Sequence, residues 1–149
     1  MLLLLTVVLV IPLGLDLYMP VPEANPLTAD KIGLGRRLFH DPRLSRTGTI
    51  ACASCHDPAR AFTDGRRAAV GVFGRVGRRN APTLVNRAWG RIFFSDGRVP
   101  TLEEQVLEPI EDPSEMDLPA KLSHALASYV RSILSRRRQP NPYATPMAA

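Results

Sequence analysis

The run Cys52-Ala-Ser-Cys-His56 is the part of this sequence with the clearest chemical meaning. In a Cys-x-x-Cys-His motif the two thiols add across the vinyl groups of a haem, and the helical turn directs the following histidine at the iron. We therefore predict one covalently bound haem c, attached through Cys52 and Cys55, with His56 as its metal ligand. Asp57-Pro58 should end the helix, so the outer ring nitrogen of His56 is expected to bind a backbone carbonyl or a carboxylate.

Other uses of these residues fit less well. The chain has only two cysteines, and a disulfide scaffold would need more. A zinc site would need further ligands at metal spacing, and only His40 and His124 remain elsewhere. A thioredoxin-type pair would not require a histidine after the second cysteine and would favour a βαβ pattern. Haem attachment is the interpretation that uses all three residues.

The second axial position of the iron separates an electron carrier from a catalyst. A six-coordinate carrier needs another strong ligand, usually His or Met. The candidates are His40, His124, Met116, Met19 and Met147. Met116 is the most credible of them, with packing against the haem as its alternative role, while the two histidines fit a helix C-cap and a core-edge or surface position. Since no candidate dominates, the sequence favours an open distal side.

The helices that must position these residues are separated by long irregular segments. The chain of 149 residues is 45% hydrophobic and 6% aromatic, with 14 prolines and 10 glycines, which predicts one all-α domain with long loops around the haem. Besides the motif helix, the predicted helices are 29–39 with Thr28 as cap, 83–89, 101–107 behind a capping box, and 120–135. No repeat and no convincing strand is found, and loops as long as 59–82 usually serve function.

The ends of the chain are expected to lie outside the haem domain. Residues 1–11 are almost unbroken apolar, too short to span a bilayer as they stand, and resemble the h-region of a secretory signal or an uncleaved membrane anchor. No basic residue precedes them and no clear A-x-A site follows, so a buried segment is the alternative. We predict a leader and linker over 1–26, the haem domain over 27–135 and a flexible tail over 136–149. Haem c is attached outside the cytoplasm, which predicts a periplasmic protein.

The formal net charge of +5 comes mainly from arginines scattered through loops. Because aromatic interleaving and nucleic-acid motifs are absent from the sequence, the charge favours solubility, salt bridges or haem propionate pairing over nucleic-acid binding. A basic face would also suit an acidic redox partner.

Further motifs accompany the haem motif in a fixed order. They are Leu34-Gly-Arg-Arg-Leu-Phe39, Asp41-Pro-Arg-Leu-Ser45, Phe62-Thr-Asp64, Arg79-Asn-Ala-Pro-Thr83, Asp96-Gly-Arg98, Leu102-Glu-Glu-Gln105 and Pro113-Ser-Glu-Met116. Together they resemble the N-terminal, peroxidatic haem domain of the bacterial di-haem cytochrome c peroxidases, the family that also contains the methylamine-utilisation di-haem oxygenase. The resemblance implies a cytochrome c-like fold and reduction of hydrogen peroxide at the open face of the iron.

The resemblance also implies roles for residues beside that face. Glu115 matches the family's distal carboxylate, which would move a proton between the two peroxide oxygens as the O–O bond breaks. Gln105 matches a residue near the same pocket and would orient water or peroxide. Asn80 stands where the family has a calcium ligand between its haem domains. A solvated loop acid is the alternative for Glu115, and a loop hydrogen-bonding role is the alternative for Asn80.

The sequence departs from the family pattern in ways that affect electron supply. It holds no second Cys-x-x-Cys-His, so electrons would come from an external donor, expected to be a small redox protein. Val72 stands where some members carry a blocking distal histidine, and Ser95 replaces the tryptophan that usually precedes Asp-Gly-Arg. The segment after Met116 is also short. A mono-haem electron carrier and an inactive, truncated subunit of a redox complex remain as alternatives to a peroxidase.

Overall fold

The computed structural model describes residues 9–118 and 123–135. Its helices are α1 (Ala29–Phe39), α2 (Cys52–Cys55), α3 (Leu102–Gln105), α4 (Glu108–Glu111) and α5 (Ser123–Arg131), and its 3-10 turns are Pro42–Leu44, Pro58–Arg60, Val72–Gly74 and Arg87–Trp89. Within the described residues, extended pairing is limited to the isolated bridges Val70–Val76 and Phe93–Val99. The predicted all-α class is confirmed.

The first eight residues of the predicted N-terminal segment 1–26, which belong to the expected leader or anchor, and the whole predicted tail 136–149 fall outside that range. Among the helices of the described part, none has both the length and the apolar character needed to cross a membrane.

Helix α1 begins and ends where the sequence predicts. Thr28 has extended backbone, and its Oγ1 accepts a hydrogen bond from the backbone N–H of Lys31 at 3.3 Å, which satisfies a free donor of the first turn. At the other end the backbone N–H of His40 donates to the carbonyls of Arg37 and Leu38. His40 is therefore the C-cap residue of α1.

Helices α1 and α5 cross at Gly35. A Cβ placed on Gly35 would stand 1.9 Å from the carbonyl oxygen of Ala125 and 2.7 Å from the Cβ of Tyr129. Only the hydrogen of a glycine fits between the two helices at this point. Beside the crossing, the rings of Phe39 and Tyr129 meet edge to face with centroids 5.1 Å apart.

A single apolar core surrounds this crossing and extends under the chain that follows residue 84. Its buried members are Phe39, Leu44, Leu84, Phe93, Val99, Leu102, Val106, Ile110, Met116, Leu126, Ala127, Tyr129, Val130 and Ile133. The described part of the predicted C-terminal stripe, Leu126, Tyr129 and Ile133, is buried as expected. The core thus joins the two long helices to the segments that carry the candidate site.

The prediction of a helix over 83–89 is wrong. Only Arg87–Trp89 forms a 3-10 turn, because Asn86 has a positive φ of 60° that interrupts the helical course. Asn86 instead pairs with the chain after α5. Its Nδ2 donates to Oγ of Ser135 at 3.0 Å, and its Oδ1 accepts from the backbone N–H of Ser135 at 2.9 Å. A long-range polar pairing has overridden the local pattern.

The two later helix predictions are right in place and wrong in extent. Thr101 caps α3 through its side chain as expected, but the helix ends at Gln105 rather than near residue 107. A second short helix, α4, follows with Pro109 in its first turn, where the missing N–H removes no hydrogen bond. The described part of α5 ends at Arg131 rather than 135, and residues 120–122 of that prediction lie outside the described range.

A buried polar network fastens the linker before α1 to α3 and α5. Arg131 is 3% exposed, and its Nη1 and Nη2 lie 3.0 and 3.3 Å from the two carboxylate oxygens of Glu103. Asn25 is 1% exposed and donates from Nδ2 to Glu103 at 2.7 Å. Burial alone would raise the pKa of Glu103, but the hydrogen bonds from Arg131 and Asn25 hold it below its usual value.

Candidate haem site

The haem motif occupies one helical turn, α2. The backbone N–H of Ala51 donates to Oγ of Ser54 at 3.0 Å, and that of His56 donates to the carbonyl of Cys52 at 2.9 Å. The turn is therefore closed at both ends, with the two cysteines inside it and His56 as its C-cap.

The ring of His56 is held by the backbone. Its Nδ1 lies 2.9 Å from the carbonyl oxygen of Phe62. Because a carbonyl only accepts, Nδ1 carries the proton and Nε2 keeps its lone pair for a metal. Burial lowers the pKa of His56, against the opposing effect of the Phe62 carbonyl, so the ring favours the neutral form that binds iron. The prediction of a backbone or carboxylate partner for this ring is confirmed.

A strained bend after the motif presents that carbonyl. Ala61 and Phe62 have φ of 52° and 59°, a left-handed conformation that non-glycine residues seldom adopt. The backbone N–H of Phe62 donates to the carbonyl of Asp57 at 2.8 Å, and Oγ1 of Thr83 donates to the carbonyl of Ala61. These bonds hold the bend so that the next carbonyl faces His56.

The two cysteines open onto an apolar pocket of about 420 Å³, counting its open mouth. Its walls are Ile50, Ala51, Cys52, Cys55, Ala69, Gly71, Pro109, Ser114, Glu115 and Met116. Three separate segments of chain therefore converge here: the haem motif, the long loop after it, and α4 with the loop that follows.

The loop after α4 sets the position of Glu115 through its own hydrogen bonds. Oδ1 of Asp112 accepts from both the backbone N–H and the hydroxyl of Ser114, each at 2.6 Å. The backbone N–H of Met116 reaches back to the carbonyl of Pro109 at 3.1 Å. Ser114 also holds the pKa of Asp112 below its usual value. A tight turn thus points residue 115 at the pocket.

The long loop after the motif is joined to this turn by backbone contacts. The N–H of Val72 donates to the carbonyl of Glu115 at 2.8 Å, and the N–H of Arg46 donates to the carbonyl of Met116 at 2.9 Å. A Cβ on Gly71 would stand 2.2 Å from the carbonyl oxygen of Ser114, so only glycine allows this approach. Backbone bonds therefore fix the part of the pocket wall formed by Gly71, Ser114, Glu115 and Met116.

The pocket places a carboxyl group beside the two thiols in a poorly solvated environment. Burial, with the charge of Asp112 adding to it, raises the pKa of Glu115 above its usual value. Burial raises the pKa of Cys52 to about 12 and also raises that of Cys55, and the charge of Glu115 contributes to both shifts. A protonatable carboxyl group thus lies within electrostatic reach of both thiols.

The remaining candidate residues lie elsewhere. Gln105 is partly buried at the end of α3 and is not in the pocket wall. Val72 is 1% exposed and also stands outside the wall. His40 and His124 are exposed, Met19 is partly buried away from the pocket, Asn80 and Ser95 are exposed, and Met147 lies outside the described residues. Of the proposed axial ligands in the described chain, Met116 alone is in the wall, and it is 4% exposed.

The arrangement fits a covalently attached haem and does not fit a metal held by the protein alone. Across residues 9–118 and 123–135, no three His, Cys, Asp or Glu side chains converge as metal ligands. Cys52 and Cys55 line an apolar pocket, and His56, which follows them directly but is not part of the pocket wall, has its ring oriented through Nδ1 by the carbonyl of Phe62. Cys52 and Cys55 would hold the haem, and His56 would be its axial ligand.

Comparison with known proteins shows the family of the chain. The family model for di-haem cytochrome c peroxidase matches residues 29–141. The chain belongs to the di-haem cytochrome c peroxidase family, whose haems are of the c type.

The relatives of the chain include methylamine utilization proteins and cytochrome c peroxidases. The chain is 50% identical over 100 residues to a methylamine utilization protein of Methylorubrum extorquens, covering 66% of this chain and 28% of that one. It is 45% identical over 97 residues to a cytochrome c peroxidase of Escherichia coli, covering 65% and 21%. The crystal structure of a MauG-like protein associated with microbial copper homeostasis superposes with a TM-score of 0.72 at 38% identity, covering 82% of this chain and 42% of that one. The predicted cytochrome c-like fold is confirmed, and the chain spans less than a third of the length of these two sequence relatives.

The structure adds site residues that the sequence did not indicate. The direction of the Phe62 carbonyl depends on the left-handed backbone of Ala61 and Phe62. Neither residue is a glycine or an asparagine, so the sequence gives no sign of this conformation. Gly71 had a visible signal, since glycines recur in the loop 65–77, but its partner in the turn at Ser114 is distant in sequence. Ile50 and Pro109 line the pocket as ordinary apolar residues.

Proposed function

We propose that this chain is a periplasmic, peroxidatic haem c domain that reduces hydrogen peroxide to water with electrons from an external donor. The observation that supports it is the position of Glu115, in the wall of the apolar pocket that Cys52 and Cys55 enter. One haem would be bound, with His56 as its axial ligand. When bound, it supplies a redox-active iron in a site that the chain keeps apolar.

Glu115 would act on the proton of the substrate. Reduction of one H2O2 consumes two electrons and two protons and yields two water molecules. As the O–O bond breaks, a carboxylate beside it takes the proton from one oxygen and returns it to the oxygen that leaves as water. The raised pKa of Glu115 brings it closer to neutral pH, which suits a group that must both take up and give back a proton.

Replacement of Glu115 tests this role. The experiment measures steady-state peroxide consumption by the haem-loaded protein with hydroquinone as reductant. Glu115→Gln should lower the rate by about 10²–10⁴-fold, because the amide cannot carry the proton. Glu111→Gln, an exposed glutamate of α4, is the matched control and should keep the wild-type rate. A wild-type rate no faster than free haem would support the inactive-subunit alternative, and equal rates for both variants would remove Glu115 from the mechanism.

Gln105 belongs to the same proposal with a smaller contribution. Its side chain is partly buried at the end of α3 and outside the pocket wall, so it would act through an ordered water rather than on peroxide directly. We expect Gln105→Leu to lower the rate less than Glu115→Gln does. An unchanged rate would remove Gln105 from the site.

An electron carrier is the second candidate function, because Met116 lies in the same wall. A thioether bound to iron gives a low-spin, six-coordinate spectrum and slow cyanide binding. The peroxidase proposal instead expects a high-spin ferric spectrum, rapid cyanide binding, and little spectral change in Met116→Leu. Conversion of a low-spin wild type to high spin by that substitution would establish the carrier.

A further inference from the structure

The chain carries a continuous segment of one charge sign. Residues 65–95 hold seven arginines and no Asp, Glu or Lys. Five of these arginines lie in the loop 66–79, at positions 66, 67, 75, 78 and 79, and all five are exposed. We call residues 66–79 the basic loop.

The basic loop is folded back on itself, which concentrates its charge. The backbone N–H of Ala69 donates to the carbonyl of Arg79 at 2.9 Å, and that of Gly77 donates to the carbonyl of Ala69 at 2.8 Å. The backbone of residues 66–67 therefore lies close to that of residues 78–79, where the two arms of the loop meet. Four exposed arginines, at positions 66, 67, 78 and 79, are thus brought to one end of the loop from two stretches of chain.

The other end of the basic loop is apolar and equally exposed. Phe73 is 62% exposed and Val76 is 67% exposed. Phe73 is held outward by a left-handed backbone with φ of 57°, and the guanidinium of Arg75 lies 4.9 Å from its ring centroid. An exposed aromatic group with arginines around it is the composition of a protein-binding surface.

The acids near the basic loop are Asp64, Asp112 and Asp117, and three acids leave part of the charge of its five arginines uncompensated. Asp117 lies 3.7 Å from Arg75, and Asp112 lies close enough to Arg78 for that charge to lower its pKa. Among the described residues, neither the pair at 66–67 nor Arg79 forms an ion pair within 4.0 Å. Self-association through this surface is disfavoured, because two copies of the basic loop would repel each other.

The basic loop also adjoins the haem pocket. Ala69 and Gly71 belong to the pocket wall, and Sγ of Cys55 lies 4.0 Å from the carbonyl oxygen of Val70. A protein docked on the loop would therefore stand beside a haem attachment point, where an electron has a short distance to travel.

We propose that the basic loop is the docking surface for an acidic electron-donor protein. The proposal rests on the proposed function, in which the two electrons for each H2O2 come from outside the chain. Two reduced one-electron donors would dock in turn and leave oxidised, with two protons taken from solvent and two water molecules formed. Opposite charge would speed their encounter and make it sensitive to salt.

The test compares a protein donor with a small one. Reduced plastocyanin, an acidic copper protein, and uncharged hydroquinone are each oxidised by the haem-loaded protein in the presence of peroxide. We expect Arg67→Glu with Arg79→Glu to slow plastocyanin oxidation by at least about tenfold at low salt and to leave hydroquinone oxidation unchanged. Arg36→Glu with Arg37→Glu places the same charge change on exposed positions of α1 and should have little effect on either donor.

Salt and a binding measurement separate the possible outcomes. Wild-type oxidation of plastocyanin should fall steeply between about 10 mM and about 300 mM salt, and the loop variant should lose that dependence. Binding of oxidised plastocyanin, followed by NMR shifts, should show the same dependence even if no peroxide is consumed, so failure of the proposed function is distinguishable. Equal slowing of both donors would mean that the arginines pair with haem propionates. That result, unaltered plastocyanin kinetics, or binding only to anionic lipid vesicles would overturn the proposal.

Arg67→Gln with Arg79→Gln guards against misfolding of the charge-reversed variant. It removes the charges without introducing acids, and we expect an intermediate loss of plastocyanin oxidation with the same haem spectrum as wild type. An intact spectrum without any loss would contradict docking at this loop.

Discussion

Replacing Gly35 by alanine should separate the two helices on which the fold rests. The new Cβ would stand 1.9 Å from the carbonyl oxygen of Ala125, whereas ordinary van der Waals contact begins near 3.4 Å. The backbones would have to move apart by about 1.5 Å, which loosens the packing of Phe39 on Tyr129. Overpacking of this kind costs about 1–3 kcal/mol or more, and the better helix propensity of alanine returns about 1 kcal/mol. Because the clash is with backbone that cannot rotate away, we expect the upper end of this range, a net loss of about 2 kcal/mol.

Gly33→Ala provides the matched control, two residues earlier in the same helix. A Cβ at Gly33 meets nothing within 4 Å, so this variant gains only the helix propensity, about 0.5–1 kcal/mol. Guanidinium unfolding of the haem-loaded proteins, followed by far-UV circular dichroism, should move the two midpoints in opposite directions with an unchanged slope. The close crossing of α1 and α5 is refuted if Gly35→Ala is as stable as wild type or if both variants shift alike.

Three further predictions concern charge and attachment. Glu103→Gln leaves Arg131 buried without its ion pair and should lower the free energy of unfolding by about 3 kcal/mol, whereas Glu104→Gln, at an exposed position, should lower it little. Because the pKa of Glu103 is lowered in the fold, the stability of the wild type should fall as the pH drops below the usual value of 4.5. Glu103→Gln should lose this pH dependence. The rate of reaction with peroxide should rise with pH through a pKa above 4.5, because Glu115 must be ionised to take a proton, and a rise of the same size in Glu115→Gln would contradict this assignment. Cys55→Ser should retain haem through one thioether, and an unshifted pyridine haemochrome band would show that Cys55 is not an attachment point.

The sequence predicted the parts of the fold whose causes are local. Thr28 and the His40-Asp41-Pro42 run define both ends of α1, and the motif itself forms one closed turn. The partner of His56 was also predictable in kind, because Asp57-Pro58 must end the helix and leave the ring beside free backbone groups. In each case the residues that decide the structure lie within a few positions of one another.

The missed features depend on residues far apart in the chain. Asn86 leaves the helical course because Ser135 offers both a donor and an acceptor, which no local pattern reveals. The pocket wall forms because Gly71 meets the turn at Ser114. The sequence predicted Glu115 near the haem only through family resemblance, and the contact that holds Glu115 in the pocket wall had no signal of its own.

The part of the pocket wall that contains Glu115 and Met116 is held through main-chain atoms. The N–H of Val72 binds the carbonyl of Glu115, and the N–H of Arg46 binds the carbonyl of Met116, so neither bond involves the side chain at position 115. The side chain at position 115 can therefore be substituted without breaking the backbone hydrogen bonds that hold the pocket wall. Position 115 is therefore where this scaffold can be redesigned, by evolution or by a chemist, to place a ligand, a proton carrier or an inert group beside the haem with a single substitution.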